Sequence, residues 1–300
     1  MKSDAMKVLV IGATGQTGAQ AVRRLLRKEA MVRVLVRNAE KAEEIFSGAE
    51  SGGWLEIVQG NLDDSAALQA AFTGSDAAFV ALGAVGEQGE LQKSIIEAAA
   101  AAGLPQLVRL SVLNAGHDSL GINQRAHADL DDLAERSGVG YTTVRPAIYM
   151  TNVVTAAREI KATGGWIGIA QQGRNPLIDP RDVADAAAAV ILNRSRWGRR
   201  YDLTGPELFS WPEATAVLAK ELGRPVEYRA VDEATLREEL LGRGFQAPLI
   251  ELLIARERAT EARENERLTD TVLELTGARP RTLAQFLHEC REKFHKVDVK

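Results

Sequence analysis

A glycine-rich turn close to the start of the chain carries the clearest chemistry in the sequence. The apolar run at residues 8–11 predicts a buried strand, and residues 19–28 are rich in strong helix formers. Between them, glycines at positions 12, 15 and 18 let the backbone turn tightly and leave amide N–H groups free at the helix start. Because a helix dipole favours negative charge there, this strand–turn–helix unit predicts a binding site for the pyrophosphate of a dinucleotide.

The glycine spacing leaves a simpler interpretation open. It is G-x-x-G-x-x-G rather than the tighter G-x-G-x-x-G, and turns collect glycine for conformational reasons alone. A βα turn without a ligand is therefore the alternative. If the turn does bind a dinucleotide, the expected contacts are Gly12, Thr14, Gly15, Gln16, Thr17 and Gly18.

The second predicted strand, Met31–Val36, ends in a basic residue. NAD sites usually place a carboxylate at this point, where it accepts hydrogen bonds from the ribose 2′-hydroxyl. Arg37 instead offers a guanidinium, which pairs with the additional 2′-phosphate of NADP. Asn38 follows it, and Lys41 adds positive charge in the first turn of the next helix. The sequence thus predicts an NADP(H) site, with a solvated arginine at a strand end as the alternative.

Alternating strands and helices must position these groups. Apolar runs predict further strands at 54–58, 76–82, 107–113 and 139–144, separated by helices at 65–72, 91–102 and 123–136. This alternation predicts an α/β fold, a Rossmann-type doubly wound parallel sheet with helices on both faces. Ligands on such sheets lie at the carboxyl ends of the strands. The cofactor contacts expected at those ends are Asn61, Leu62, Leu82, Gly83 and Pro146, with Ser111 close by.

The regular alternation stops near residue 150, which suggests a second unit. We assign residues 1–150 to an NAD(P)-binding Rossmann domain, completed by 176–204, where Asp179 and Pro180 open a helix before a strand at 201–204. Residues 151–175 and 205–300 are expected to form a smaller, mostly helical substrate lobe. Its predicted helices are 152–162, 211–222, 232–241, 247–266 and 282–294, and the charge run 255–267 is interpreted as a solvated helix face.

Composition excludes several classes of protein. The 300 residues carry a net charge of −4 spread along the chain, so nucleic acid is not an expected partner. No apolar run reaches the roughly 18 residues that a membrane span needs, and no residue spacing is typical of a metal site. The single cysteine, Cys290, cannot form an internal disulfide and is typical of a reducing compartment. We therefore expect a cytoplasmic protein that acts on a small molecule, as a monomer or as a homodimer.

Five segments resemble the NmrA-like family of atypical short-chain dehydrogenases, which includes NADPH-dependent quinone oxidoreductases and redox-sensing regulators. They are residues 10–18, residues 36–37, residues 137–146, residues 179–184 and residues 276–286. The last segment resembles the C-terminal signature of the quinone-reductase branch. The resemblance implies a Rossmann domain that binds NADP(H), together with a small C-terminal lobe that covers the nicotinamide end.

The resemblance also indicates where catalytic residues should lie, and here the sequence departs from the wider dehydrogenase pattern. Orthodox members use Tyr-x-x-x-Lys, in which the lysine lowers the pKa of a tyrosine that passes a proton to a carbonyl. The matching positions hold Asn123 and His127, so the proton-donating tyrosine is absent. We expect His127 either to donate a proton near neutral pH or to hydrogen-bond the nicotinamide ribose. An exposed helix position without a role is the alternative.

Two further residues match family positions near the nicotinamide. Ser111 ends the fifth predicted strand, where it would orient a substrate oxygen, although a serine there also commonly forms a turn. Tyr149 lies where the family lines the nicotinamide pocket, so its hydroxyl is a reserve acid and a purely packing role is the alternative.

Two functions from different classes agree with these features. One is a reductase that passes hydride from NADPH to a quinone or a similar electron-poor acceptor, a reaction that needs no strong acid beside the acceptor. The other is a regulator that senses NADP(H) without turnover and binds a protein partner. A sugar-nucleotide epimerase ranks last, because that chemistry depends on the absent tyrosine.

Overall fold

A computed structural model of the chain describes residues 5–48 and 54–295. Its strands are β1 (Lys7–Ile11), β2 (Met31–Val36), β3 (Trp54–Gln59), β4 (Ala77–Val80), β5 (Leu107–Leu110), β6 (Tyr141–Pro146), β7 (Gly165–Gly168), β8 (Arg200–Leu203) and β9 (Glu227–Ala230). Its helices are α1 (Gln16–Arg27), α2 (Ala39–Phe46), α3 (Ser65–Phe72), α4 (Glu87–Ala101), α5 (Ile122–Arg136), α6 (Thr151–Thr155), α7 (Ala157–Thr163), α8 (Pro180–Ile191), α9 (Trp211–Leu222), α10 (Glu233–Gly242), α11 (Ala247–Glu261), α12 (Thr271–Thr276) and α13 (Leu283–Cys290).

Within the described residues, a seven-stranded parallel sheet forms the centre of the molecule. Its strand order is β3-β2-β1-β4-β5-β6-β8. The chain starts on β1, builds outward to β3, and then returns to place β4 on the other side of β1. This reversal is the topological switch point of a doubly wound sheet, and it confirms the predicted Rossmann-type α/β fold.

Burial explains why the central strands form where the sequence predicts them. The four residues 8–11 are each at most 1% exposed, because helices cover both faces of the sheet. On α1 the apolar positions Val22, Leu25 and Leu26 pack into the same core as Val8 and Val10. The observed bounds of β2 and α3 match the predicted ranges residue for residue.

Residues 180–203 lie on this sheet as well. Asp179 caps α8 through a side-chain hydrogen bond to the Arg181 amide, and Pro180 occupies the first turn, as predicted. On the neighbouring helix α1, Arg24 pairs with Asp185 of α8, while β8 pairs in parallel with β6. The division of the chain at the boundaries given above stays a prediction.

The segments assigned above to a smaller lobe contain a short parallel pair, β7 and β9, that was not predicted. Beside it, Trp166 meets Trp211 and Tyr228 edge-on, at ring-centre distances of 5.3 and 5.2 Å. Gly165 allows the two strands to approach, since a Cβ there would overlap the Glu227 carbonyl oxygen. Helix α12 was not predicted either.

Three expectations for the lobe are wrong in detail. The predicted helix 152–162 is two helices that meet at Ala156, and the predicted helix 247–266 ends at Glu261, since Arg263 adopts a positive φ of 61°. The charge run 255–267 is not simply a solvated face, because Glu257 is only 3% exposed. It accepts hydrogen bonds from backbone amides and from Trp211, and such partners satisfy a buried carboxylate.

Candidate functional site

Two glycines of the β1–α1 turn are required by close packing. Gly12 has a positive φ of 78°, and a Cβ on it would overlap the carbonyl oxygen of Ala81 after β4. A Cβ on Gly18 would overlap the carbonyl oxygen of Gly12, so α1 could not begin so close to the turn. These two positions need glycine whether or not the turn binds a ligand.

Gly15 is less constrained than these two, because neither a positive φ nor a severe overlap requires glycine there. Its φ of −79° and ψ of 172° suit any residue, and an added Cβ would meet only the Gly12 carbonyl oxygen, at 3.2 Å. Gly15 is the N-cap of α1, which has no acidic residue in its first turn and no capping side chain among the described residues. The helix start therefore presents free amide N–H groups beside open space, an arrangement that fits a phosphate.

Arg37 lies at the carboxyl end of β2 with its side chain exposed. No ion pair holds its guanidinium among the described residues. The neighbouring Asn38 caps α2 by accepting a 2.8 Å hydrogen bond from the Lys41 amide, which fixes the local backbone. The side-chain oxygen of Asn61 accepts a 3.0 Å hydrogen bond from the adjacent Leu62 amide. The free cation at the end of β2 is the group that fits a 2′-phosphate.

The Leu82–Gly83 segment after β4 is fixed by two glutamines of α4. Gln88 accepts a 2.6 Å hydrogen bond from the Gly83 amide, and Gln92 donates to the Gly83 carbonyl oxygen at 2.6 Å. The side-chain oxygen of Gln92 then accepts a 3.0 Å hydrogen bond from Arg109. This edge of the site is thus connected to a polar group inside the protein.

Arg109 is the centre of a buried hydrogen-bond network under the carboxyl ends of β4, β5 and β6. Its side chain is fully buried and pairs with Asp131 of α5. Asp131 also accepts 2.6 Å hydrogen bonds from Tyr141 and Arg145 and a 3.3 Å hydrogen bond from Ser111. One carboxylate therefore compensates two guanidinium groups and fixes the positions of three strand residues.

The pKa of Asp131 follows from these contacts. Burial alone would raise it, but the charge of Arg109 and the hydrogen bonds from Tyr141 and Arg145 outweigh burial, so the pKa lies below its usual range. Asp131 is therefore ionised at neutral pH.

Replacing Asp131 with Asn is expected to destabilise the fold by about 3 to 5 kcal/mol, because two buried guanidinium groups lose their counter-charge. Urea unfolding monitored by circular dichroism measures this change. Glu135, on the same helix, offers a matched control, since its pair with Arg200 is exposed on both sides. We expect Glu135→Gln to cost less than about 1 kcal/mol. Equal losses in the two variants would contradict the assignment of Asp131 as the central carboxylate.

His127 lies on α5 one turn before Asp131 and is only 3% exposed. The alternative of an exposed helix position is therefore wrong. Burial, together with the nearby charge of Arg109, lowers the pKa of His127 to about 3. The imidazole is therefore neutral at physiological pH and holds no second proton to release. Its Nδ1 atom lies 3.2 Å from the Arg109 guanidinium, which can only donate, so the ring proton is on Nε2.

This low pKa makes stability depend on pH. Below about pH 6.5 the unfolded chain binds a proton at His127 that the folded chain does not, down to the folded pKa of about 3. His127 therefore does not reduce the free energy of unfolding above pH 6.5. Below that pH the free energy of unfolding falls, by up to about 1.4 kcal/mol per pH unit. Urea unfolding at about pH 7 and pH 5 tests this in wild type, in His127→Gln and in a control at the exposed His288. His127→Gln should reduce the slope and His288→Gln should not; an unchanged slope in His127→Gln would exclude this origin.

Ser111 and Tyr149 are both engaged by the protein. The Ser111 hydroxyl donates to Asp131, as described, so only its lone pairs remain for another group. The Tyr149 hydroxyl lies 2.9 Å from the Thr17 hydroxyl at the start of α1. Burial raises the pKa of Tyr149 to about 12, so it stays protonated at neutral pH and is a weak acid. Tyr149 thus joins the glycine turn to the chain that follows Pro146.

Three residues of this network, Gln92, Arg109 and Asp131, were not predicted from the sequence. The available signal was Arg109 itself, a charged residue inside an apolar run that was predicted to be buried on both faces. A buried arginine needs a carboxylate partner, and Asp131 follows His127 by one helical turn.

Within the described residues, no cluster of His, Cys, Asp and Glu side chains could hold a metal ion. Over the same residues, no helix combines the length and the apolar character that crossing a bilayer requires.

The parallel sheet, the open turn at Gly15 and the free cation at Arg37 together are those of a Rossmann-type dinucleotide-binding protein. The chain belongs to the NmrA-like family, whose sequence pattern matches residues 4–287. The family predicted from the sequence is thereby confirmed.

Similar proteins span almost the whole chain. An NAD(P)H azoreductase of Xenophilus azovorans is 29% identical over 286 residues, which cover 93% of this chain and 96% of the relative. A (4-alkanoyl-5-oxo-2,5-dihydrofuran-3-yl)methyl phosphate reductase of Streptomyces griseus is 32% identical over 288 residues, covering 96% and 99%. Among solved structures, the NADPH-dependent quinone oxidoreductase QOR2 of Escherichia coli, in complex with NADPH, is 26% identical with a TM-score of 0.86, covering 95% and 99%.

Proposed function

We propose that this protein is an NADPH-dependent reductase that passes hydride to a quinone or a similar electron-poor acceptor. The observation that carries the proposal is the exposed guanidinium of Arg37, which no described residue pairs, at the end of the strand next to β1 and its exposed glycine turn at Gly15. The similar proteins named above support a reductase, since their names specify NAD(P)H-dependent or reductive chemistry. The protein is thus an NAD(P)H-dependent oxidoreductase with NADP(H) as its cofactor.

The chain's own residues have distinct roles in this proposal. Amide N–H groups at the start of α1 bind the pyrophosphate, and Arg37 binds the 2′-phosphate. His127 offers its Nε2–H as a hydrogen-bond donor to the nicotinamide ribose, because its neutral state suits it to bind rather than to transfer a proton. Pro146, Ser111 and Tyr149 border the nicotinamide end, and the smaller lobe encloses the acceptor against it.

The missing tyrosine decides the class of acceptor. When bound, NADPH supplies a hydride, which adds two electrons to the acceptor and leaves NADP⁺. Asn123, at the position of the tyrosine, cannot release a proton, and Tyr149, with a pKa of about 12, is a weak acid. A quinone suits such a site, because its hydroquinone anion is a comparatively weak base that takes its proton from water.

The test is oxidation of NADPH by the purified protein, followed through the near-ultraviolet absorbance of the reduced nicotinamide. We expect tetramethyl-1,4-benzoquinone to cause a loss of this absorbance that depends on the protein. The runner-up function, a regulator that only senses the cofactor, predicts binding of NADPH and NADP⁺ without consumption of NADPH. Tight cofactor binding with no turnover on any quinone or azo acceptor would reject the reductase.

We also propose the cytoplasm as the location, because Cys290 is a free thiol and reduced nicotinamide is the expected cosubstrate. The partner we propose is the small-molecule acceptor. A monomer and a homodimer both agree with this function.

A further inference from the structure

A stripe of polar residues along α11, continued by Glu264 just after it, holds several loops of the molecule together. The stripe consists of Arg256, Glu257, Thr260 and Glu261, which share one helix face because their spacing follows the helical repeat, and of Glu264, which lies just beyond the end of the helix. Glu257 accepts hydrogen bonds from the Ile169 and Ala170 amides, and Glu261 accepts them from the amides of residues 171–173. The stripe thus binds backbone groups.

Glu264 binds the loop between β5 and α5. Its Oε2 atom accepts a 2.7 Å hydrogen bond from the Ser119 hydroxyl, and its Oε1 atom accepts a 2.9 Å hydrogen bond from the Leu120 amide. Its carbonyl oxygen accepts a further hydrogen bond from the side-chain amide of Asn114, which adopts a positive φ of 58°. Both carboxylate oxygens are therefore committed to one loop, which we call the 112–121 loop.

The 112–121 loop borders the proposed nicotinamide end of the site. It begins directly after Ser111, and the Leu113 amide donates a 2.8 Å hydrogen bond to the carbonyl oxygen of Pro146. Three residues beyond Pro146, Tyr149 reaches Thr17 in the glycine-turn helix. The loop then leads into α5, which carries His127. The segment from Pro146 to Tyr149 therefore contacts both the cofactor turn and the loop that Glu264 fixes.

The stripe supports the other side of the same segment. Arg256 donates a 3.0 Å hydrogen bond to the Asn152 side chain, and Asn152 donates a 3.0 Å hydrogen bond to the Tyr149 carbonyl oxygen. The lobe therefore positions two neighbouring parts of the site, one through Arg256 and one through Glu264.

We propose that Glu264 is a positioning residue that holds the 112–121 loop as one wall of the acceptor site. This inference rests on the proposed reductase function. Hydrogen bonds to an ionised carboxylate are stronger than those between neutral groups, so they keep the loop in one conformation. Without them only a fraction of molecules has the wall in place, and the apparent affinity for the acceptor falls by that fraction. The cofactor contacts at Gly15 and Arg37 lie on other elements and are unaffected.

The experiment compares Glu264→Gln with wild type. In this variant the side chain loses its charge. Its amide oxygen can still accept from the Leu120 amide and its NH₂ group can donate to the Ser119 hydroxyl, but both hydrogen bonds become neutral and weaker. We expect a KM for tetramethyl-1,4-benzoquinone that is higher by about tenfold, with a Kd for NADPH within about twofold of wild type. Hydrogen exchange of residues 112–121, measured by mass spectrometry, should be faster in the variant, and this readout does not depend on turnover. Glu251→Gln is the matched control, because the exposed Glu251 lies on α11 and pairs, among the described residues, with Arg237 and not with the loop.

Ser119→Ala removes one of the same hydrogen bonds from the loop side, and it keeps the inference testable if Glu264→Gln fails to fold. The combined effect of the two changes should be smaller than the sum of the separate effects, since Ser119 and Glu264 share one hydrogen bond. Two results would overturn the inference. One is an unchanged KM for the quinone in a variant whose loop shows faster hydrogen exchange, and the other is unchanged hydrogen exchange of residues 112–121. If the wild-type protein consumes no NADPH with any acceptor, the proposed function is wrong and the inference is wrong with it. If the wild-type protein reduces the quinone and the variants behave like it, only the inference is wrong.

Discussion

Replacing Arg37 with Asp is expected to weaken NADPH binding by about 100-fold or more while leaving NADH binding nearly unchanged. The guanidinium loses its charge-assisted hydrogen bonds to the 2′-phosphate, and the new carboxylate repels that group. In NADH the same carboxylate meets a ribose 2′-hydroxyl and can accept a hydrogen bond from it. The preference for the phosphorylated coenzyme should therefore disappear or reverse. Titration calorimetry with both reduced coenzymes measures the effect.

The control for this prediction is an identical change of charge far from the turn. Arg229 on β9 is exposed, and we expect Arg229→Asp to leave the affinity for NADPH unchanged. The effect at Arg37 should also shrink as salt is added, because an exposed ionic contact is screened. If Arg37→Asp binds NADPH as tightly as wild type does, Arg37 does not contact the 2′-phosphate.

The second large effect is expected at Gly15. Gly15→Val should reduce the binding of both NADPH and NADH by about 100-fold or more, because the side chain fills the space through which the pyrophosphate approaches the helix start. The fold should survive, since the backbone angles at Gly15 suit valine and the nearest obstacle to a Cβ is one carbonyl oxygen at 3.2 Å. Calorimetry with each coenzyme and thermal unfolding of the free protein measure the two consequences.

The variant Gly18→Val is the control that separates a loss of stability from a loss of coenzyme binding. A Cβ on Gly18 overlaps the backbone of Gly12, so Gly18→Val should lower the thermal stability of the protein itself. Gly15→Val should lower it much less, because its Cβ has only one tight contact, at 3.2 Å. Retained NADPH binding in a folded Gly15→Val protein would mean that the turn holds no phosphate.

Most strands of the sheet could be predicted from apolar runs in the sequence alone. The run at residues 8–11 is buried on both faces, so it forms an unbroken apolar stretch with clear ends. In β2 the apolar residues are interrupted once, by the half-buried Arg33. A capping residue fixed a helix start in the same way, as with Asp179 before α8. In such segments the local chemistry and the final packing agree.

The lobe was harder to predict, because its short elements depend on contacts between distant segments. The strand β9 has four residues, of which three are exposed, so it shows no apolar pattern and forms only by pairing with β7. The charge run on α11 is typical of a solvated helix when read alone. Only the fold brings the amides of residues 169–173 and the 112–121 loop to its carboxylates.

The candidate site shows the same division. The glycine turn and Arg37 were evident from local sequence, because their chemistry is read within one strand–turn–helix unit. The network of Arg109, Asp131 and His127 joins β5, α5 and β6, so its hydrogen bonds were not evident from spacing. The neutral state of His127 depends on burial and on a guanidinium 18 residues away in the chain, and the sequence shows neither.

The most direct test of the central claim is a calorimetric titration of the folded wild-type protein with NADPH and, separately, with NADH. We predict saturable binding of NADPH at one site per chain and clearly weaker binding of NADH, because only NADPH carries the 2′-phosphate that Arg37 is proposed to bind. No detectable heat of binding with either coenzyme, or equal affinity for both, would contradict this prediction.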